Sequence, residues 1–198
     1  LSIDWAVKLD VTALTALREL HAAAALAIDC RGCIELVHVH APGARVLNCD
    51  GCTNLTRLEC STAEFLFCSG CSSLAQVDLP LVKVGDFSDC TALVEVHTSV
   101  VEELYLDNTL SLLQLHAPCA KLICRRKCPS LLAGNFDPVA MFPDRLDATI
   151  VRGDAEEVGD AVEHRRAALR RLYHVGETHI SHASDSYPDA HLQQSISA

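Results

Sequence analysis

Residues 47–103 read LNCDGCTNLTRLECSTAEF (47–65), LFCSGCSSLAQVDLPLVKV (66–84) and GDFSDCTALVEVHTSVVEE (85–103), three stretches of 19 residues that match column by column. Cysteine stands at Cys52, Cys71 and Cys90. Leucine follows three places on at Leu55, Leu74 and Leu93, and another apolar residue three places later at Leu58, Val77 and Val96. The register continues in both directions. Cys33 and Cys128 extend the cysteine column, with Thr109 in its one vacant place, and Leu36, Leu112 and Leu131 extend the leucine column. The chain thus cuts into units at 9–27, 28–46, 47–65, 66–84, 85–103, 104–122 and 123–141, about seven coils. A fixed period of about 20 residues marks a solenoid, in which no unit buries its apolar face alone and stacking supplies the core. The end units are atypical, as capping repeats are: the first carries Leu14, Leu17 and Leu20, and the last decays at Gly134.

In the pattern LxxLxL the last two apolar residues lie two apart, so both face inward from a strand and the residue between them faces out. This predicts short parallel strands at 39–41, 58–60, 77–79, 96–98 and 115–117, and a second, shorter strand at 28–30, 47–49, 66–68 and 104–106. With strands about 4.8 Å apart, seven coils make a rod of roughly 34 Å.

The segments LFCSGCSSLAQVDLP and GDFSDCTALVEVHT resemble leucine-rich repeats, most closely the BspA-like (Treponema pallidum-type) class, whose unit runs F-x-x-C-x-x-L-x-x-I-x-L-P. The resemblance covers residues 9 to about 136. Two features depart from it: the unit is shorter, and proline recurs only at Pro42, Pro80 and Pro118. The resemblance implies a leucine-rich-repeat β-solenoid, and the shortness of the unit favours tight coils with little or no helix on the convex side. The resemblance also implies a module that binds another protein or peptide.

Composition narrows the function. A net charge of −10 argues against binding nucleic acid, which needs clustered Lys and Arg against phosphates. The run Arg125–Arg126–Lys127 reads as a solvated face. No apolar run approaches the roughly 20 residues of a membrane span. The chain starts at Leu1, which reads as a fragment or processed chain. Nothing in the sequence sets the oligomeric state.

Eleven cysteines suggest a disulfide framework, but their periodicity points elsewhere. Cysteines stacked in a column suit a ladder of small buried groups, and an odd number leaves at least one unpaired. We therefore expect free thiols, which favours an intracellular setting. The competing pattern is metal: Cys30-x-x-Cys33, Cys49-x-x-Cys52 and Cys68-x-x-Cys71 have the pair spacing of zinc or iron sites. Their column mates, however, include Val11, Leu14, Phe87, Leu106 and Thr109, which do not ligate as thiolates do. The expectation is packing, with no metal and no cofactor.

The outward positions of the main strand read Glu19 and His21, His38 and His40, Arg57 and Glu59, Gln76 and Asp78, Glu95 and His97, Gln114 and His116. Strands in register align these in two neighbouring lines, the candidate partner-binding face. For catalysis the sequence offers no Gly-rich phosphate loop, GxSxG elbow or HExxH. We expect a non-enzymatic chain; the alternative is the recognition part of a larger effector enzyme, for which Cys49-Asp50 is the one thin echo.

After Pro143 the period fails. Residues 154–176 read as a helix capping the solenoid, with Asp154 as N-cap, Glu156 and Glu157 in the first turn and Gly176 as the stop. The organisation expected is a lead-in at 1–8, the solenoid at 9–141, a cap at 142–176 and a polar tail at 177–198.

Overall fold

Each of the six coils from 9 to 122 folds into two three-residue strands joined by tight turns, because its inward residues come in two groups separated by turn formers. In the coil 47–65 the inward groups are Leu47, Cys49 and Cys52, then Leu55, Leu58, Cys60 and Ala63. The computed structural model describes residues 1–3, 7–130 and 149–151. One set of strands is β1 (Lys8–Asp10), β3 (Ala27–Asp29), β5 (Val46–Asn48), β7 (Phe65–Phe67), β9 (Val84–Asp86), β11 (Glu103–Tyr105), β13 (Leu122–Cys124) and β14 (Thr149–Val151). The other is β2 (Glu19–His21), β4 (His38–His40), β6 (Arg57–Glu59), β8 (Gln76–Asp78), β10 (Glu95–His97) and β12 (Gln114–His116). The chain is a β-solenoid of about six turns.

The first set makes one eight-stranded sheet, in which Leu9, Ile28, Leu47, Leu66, Gly85, Leu104 and Ile123 are in register. The second set makes two three-stranded sheets, β2-β4-β6 and β8-β10-β12, which are not bonded to each other. All pairings are parallel, as coils of one hand require. Each strand starts one residue before its predicted position. Its central residue is the inward one and both flanking residues belong to the hydrogen-bonded ladder, which the apolar pattern alone does not delimit.

The first sheet, expected to be the lesser, is the continuous one. The second breaks between Glu59 and Asp78, where the residues behind the strands change. Ala22, Ala41 and Cys60 give way to Leu79, and Ala25, Ala44 and Ala63 to Val82 and Val101. Residues 1–3 are part of the solenoid: His21 N–H donates to Leu1 O, Ile3 N–H donates to His21 O, and Ile3 is buried. The edge of β2 is thereby satisfied. At the other end β14 pairs with β13, Ile123 opposite Ile150. The first compact unit of the chain runs Leu1–Ala155. The predicted helix and the polar tail lie outside the described residues.

Two repeated devices hold the turns. Ala13, Gly32, Gly51, Gly70, Asp89, Asn108 and Lys127, one per coil, all have positive φ, between 55° and 76°. Glycine takes this left-handed conformation without strain and Asn or Asp tolerate it. Just ahead of it, Asp10, Asn48 and Asp86 accept a hydrogen bond from the backbone N–H two residues on. These Asx-turns fix the exit from the strand.

The second device is the thiol column. Cys33, Cys52, Cys71, Cys90 and Cys128 donate S–H to the carbonyls of Val11, Cys30, Cys49, Cys68 and Leu106, at 3.0–3.1 Å. The column thus takes a small side chain with a donor, which is why Thr109 serves in it, its hydroxyl donating to Leu106 O at 2.7 Å. All eleven cysteines are free thiols and all but Cys119 are buried. Burial pushes Cys33 up to about 11 and Cys60 and Cys90 up to about 12.

One coil exchanges volume between columns: Gly85 replaces the leucine of its column and Phe87 the cysteine of the next. A Cβ on Gly85 would lie 2.8 Å from the Phe87 ring. The ring therefore fills the space the leucine vacates. Of the basic run at 125–127 only Lys127 is exposed: Arg125 is buried, and Arg126 donates to Asp107 Oδ2 from Nε at 3.0 Å.

Candidate functional site

On a strand whose central residue points into the core, the two flanking side chains face outward, so β2, β4, β6, β8, β10 and β12 each present a pair. Registers confirm the expected neighbours within each sheet. Glu19, His38 and Arg57 lie side by side, as do His21, His40 and Glu59. On the other sheet Gln76, Glu95 and Gln114 align, as do Asp78, His97 and His116. The expected single line of six is therefore two lines of three, because no ladder joins β6 to β8.

Each half has its own polar network. On β2-β4-β6, Glu59 is the hub. His40 Nδ1 lies 2.5 Å from its Oε2, Arg57 Nη2 lies 2.6 Å from its Oε1, and His38 Nε2 lies 3.6 Å from the same oxygen. The hydrogen bond with His40, with the charge of Arg57 adding to it, holds the Glu59 carboxyl below its ordinary range. His21 stands beside Glu19 at 3.7 Å. The rings of His21, His38 and His40 cluster, with centroids 5.7, 5.8 and 6.4 Å apart. On β8-β10-β12, Glu95 is the hub: it accepts from Gln76 Nε2 at 2.9 Å and lies 2.7 Å from His97 Nε2. His97 and His116 are 6.1 Å apart. These two carboxylate-centred networks are preorganised by the sheets beneath them.

The eight-stranded sheet carries a charge ladder at its flank. Arg45, Glu64, Lys83, Glu102 and Lys121 alternate in sign at steps of 19 residues. Glu64 meets Arg45 at 3.3 Å and Lys83 at 2.5 Å, and Glu102 meets Lys121 at 2.6 Å. Hydrogen bonds from Lys83 and Lys121 hold the Glu64 and Glu102 carboxyls below their ordinary values. Sequence reasoning passed over this ladder and over the left-handed column. Both are legible in hindsight, as alternating charge and as Gly32, Gly51 and Gly70 at the repeat period.

The CxxC cysteines sit in two adjacent inward columns. Cys30 Sγ lies 3.2 Å from Cys49 Sγ of the next coil, while Cys33 and Cys52 are engaged with backbone carbonyls. Among the described residues, no three His, Cys, Asp or Glu side chains converge as placed on a point that would hold a metal ion. No helix among them is long and apolar enough to cross a membrane. Comparison with known proteins gives no match, whether to family models, curated proteins or solved structures.

Proposed function

We propose that this chain is a non-catalytic interaction module of the leucine-rich-repeat kind, binding another protein or peptide through the outward face of β2-β4-β6 and β8-β10-β12. The observation that carries the reading is the in-register stacking of paired polar side chains, from Glu19 and His21 to Gln114 and His116, on strands whose central residues pack into the core. Such an array meets a partner with little ordering still to be done, since the backbone is fixed and carboxylates already hold several rings. Support for the repeat class comes from the buried leucine column, Leu36, Leu55, Leu74, Leu93 and Leu112.

The experiment is a pull-down from native cells with the full chain, set against the triple variant Arg57→Glu, Glu59→Lys, Asp78→Lys. Arg57 and Asp78 are exposed, and exchanging the charges of Arg57 and Glu59 keeps opposite charges at the two paired positions. Loss of the partner with an unchanged melting curve supports this face. A partner that survives the triple change retires it.

A further inference from the structure

We propose that His21, His38 and His40 form a binding site for a divalent transition-metal ion of the zinc class, with Glu59 orienting His40. A His-x-His pair on β4 puts two imidazoles on one face, and the register of His21 opposite His40 brings a third from β2. Zinc bonds nitrogen at about 2.0–2.1 Å in tetrahedral geometry, which sets ligand ring centroids about 5 Å apart. The observed spacings of 5.7, 5.8 and 6.4 Å exceed this by about 1 Å. The donor atoms do not converge as placed, yet rotation of the side chains closes such a gap. His21, its side chain 42% exposed, turns toward the pair, and His40, 39% exposed, turns together with the half-exposed Glu59 carboxylate that holds it.

Two further observations point to the same site. His38 Nε2 is buried and makes no hydrogen bond, Glu59 Oε1 standing 3.6 Å away. A buried nitrogen left so is destabilising, and coordination satisfies it. Glu59 Oε2 stands 2.5 Å from His40 Nδ1. Donation of Nδ1–H to that carboxylate leaves the Nε2 lone pair for a metal, the arrangement in which a carboxylate fixes the tautomer and raises the basicity of a ligand. Glu19, beside His21, adds a second negative charge, and the exposed side of the face leaves the fourth position to water. The other half of the face has one histidine pair, His97 and His116, and serves as an internal control.

The site is read without any partner, so its failure leaves the docking role standing and the reverse also holds. The probe is Co²⁺, with Zn²⁺ in competition, titrated into the untagged full chain and followed by absorption and calorimetry. The expected result is one ion per chain with no thiolate-to-metal charge-transfer band. His38→Gln and His40→Gln should each weaken binding by at least the roughly 10- to 100-fold that loss of an orienting partner brings, and Glu59→Gln by about that much. A His97→Gln, His116→Gln double variant should bind as the parent does. Circular dichroism confirms folding, and His40→Gln, at a half-exposed position, decides the matter if His38→Gln does not fold. Absence of binding, a thiolate band, or affinity that survives His40→Gln overturns the proposal, the last two moving the ion to the cysteines or to His179, His182 and His191.

Discussion

At the scale of the residue, the coil is governed by position within 19 residues more than by residue type. The left-handed turn position accepts Ala13, three glycines, Asp89, Asn108 and Lys127, because the turn sets φ whichever side chain is present. The core is less permissive, as Gly85 and Phe87 show. Gly85→Leu alone drives a side chain into the Phe87 ring, an overpacking worth about 1–3 kcal/mol. Phe87→Cys alone empties a fully buried site and should cost about 3–5 kcal/mol. The double variant restores the leucine and cysteine of the two preceding coils and should be far more stable than the sum of the single losses. Denaturant unfolding of all four proteins measures the coupling; additive losses would show that the two residues do not share one space.

At the scale of the element, the strands are too short to be stable singly, and the ladders along the rod hold them. The charge ladder from Arg45 to Lys121 has a definite pH signature. The depressed Glu64 and Glu102 carboxyls contribute stability that is fully present above their unfolded value of about 4.3 and is lost as pH falls through their lower folded values. Melting temperature should therefore drop on acidification below about pH 4.3, and less so in a Lys83→Met, Lys121→Met variant or in 1 M salt. Exposed pairs of this kind contribute modestly. Acid melting curves that coincide for parent and variant would remove the ladder from the account. The break between β6 and β8 belongs to the same scale: it parts the outward polar face into a half centred on Glu59 and a half centred on Glu95.

At the scale of the whole molecule, a solenoid filled with free thiols should be chemically quiet. Ten of its eleven cysteines are buried out of reach of a reagent, and burial leaves Cys60 and Cys90 with almost no thiolate at pH 8, while Cys52, drawn down by hydrogen bonds with Cys30 and Cys49, is kept quiet by burial alone. Native protein treated with a small aromatic disulfide should release one fast equivalent, from Cys119. That equivalent should disappear in Cys119→Ser, and the remainder should react only as the solenoid opens. Two or more fast equivalents in the parent would mean that the core is open on the timescale of the reaction.

The amino-acid sequence by itself determined the period, the columns that face inward and the pairs that face outward. Each is a local matter of 19-residue spacing and of alternation along a strand, carried by residues such as Cys52, Leu55, Leu58 and Glu59. Only the tertiary structure decided that the sheet through Leu47 is the continuous one and that the sheet through Leu58 stops there. Pairing between coils depends on how far apart the side chains behind the strands hold them, and that distance is a sum over neighbours that no single repeat contains. For the same reason the sequence shows six histidine and acid positions as one line from His21 to His116. In the folded chain they are two clusters, one that gathers three imidazole rings and one that holds a single pair.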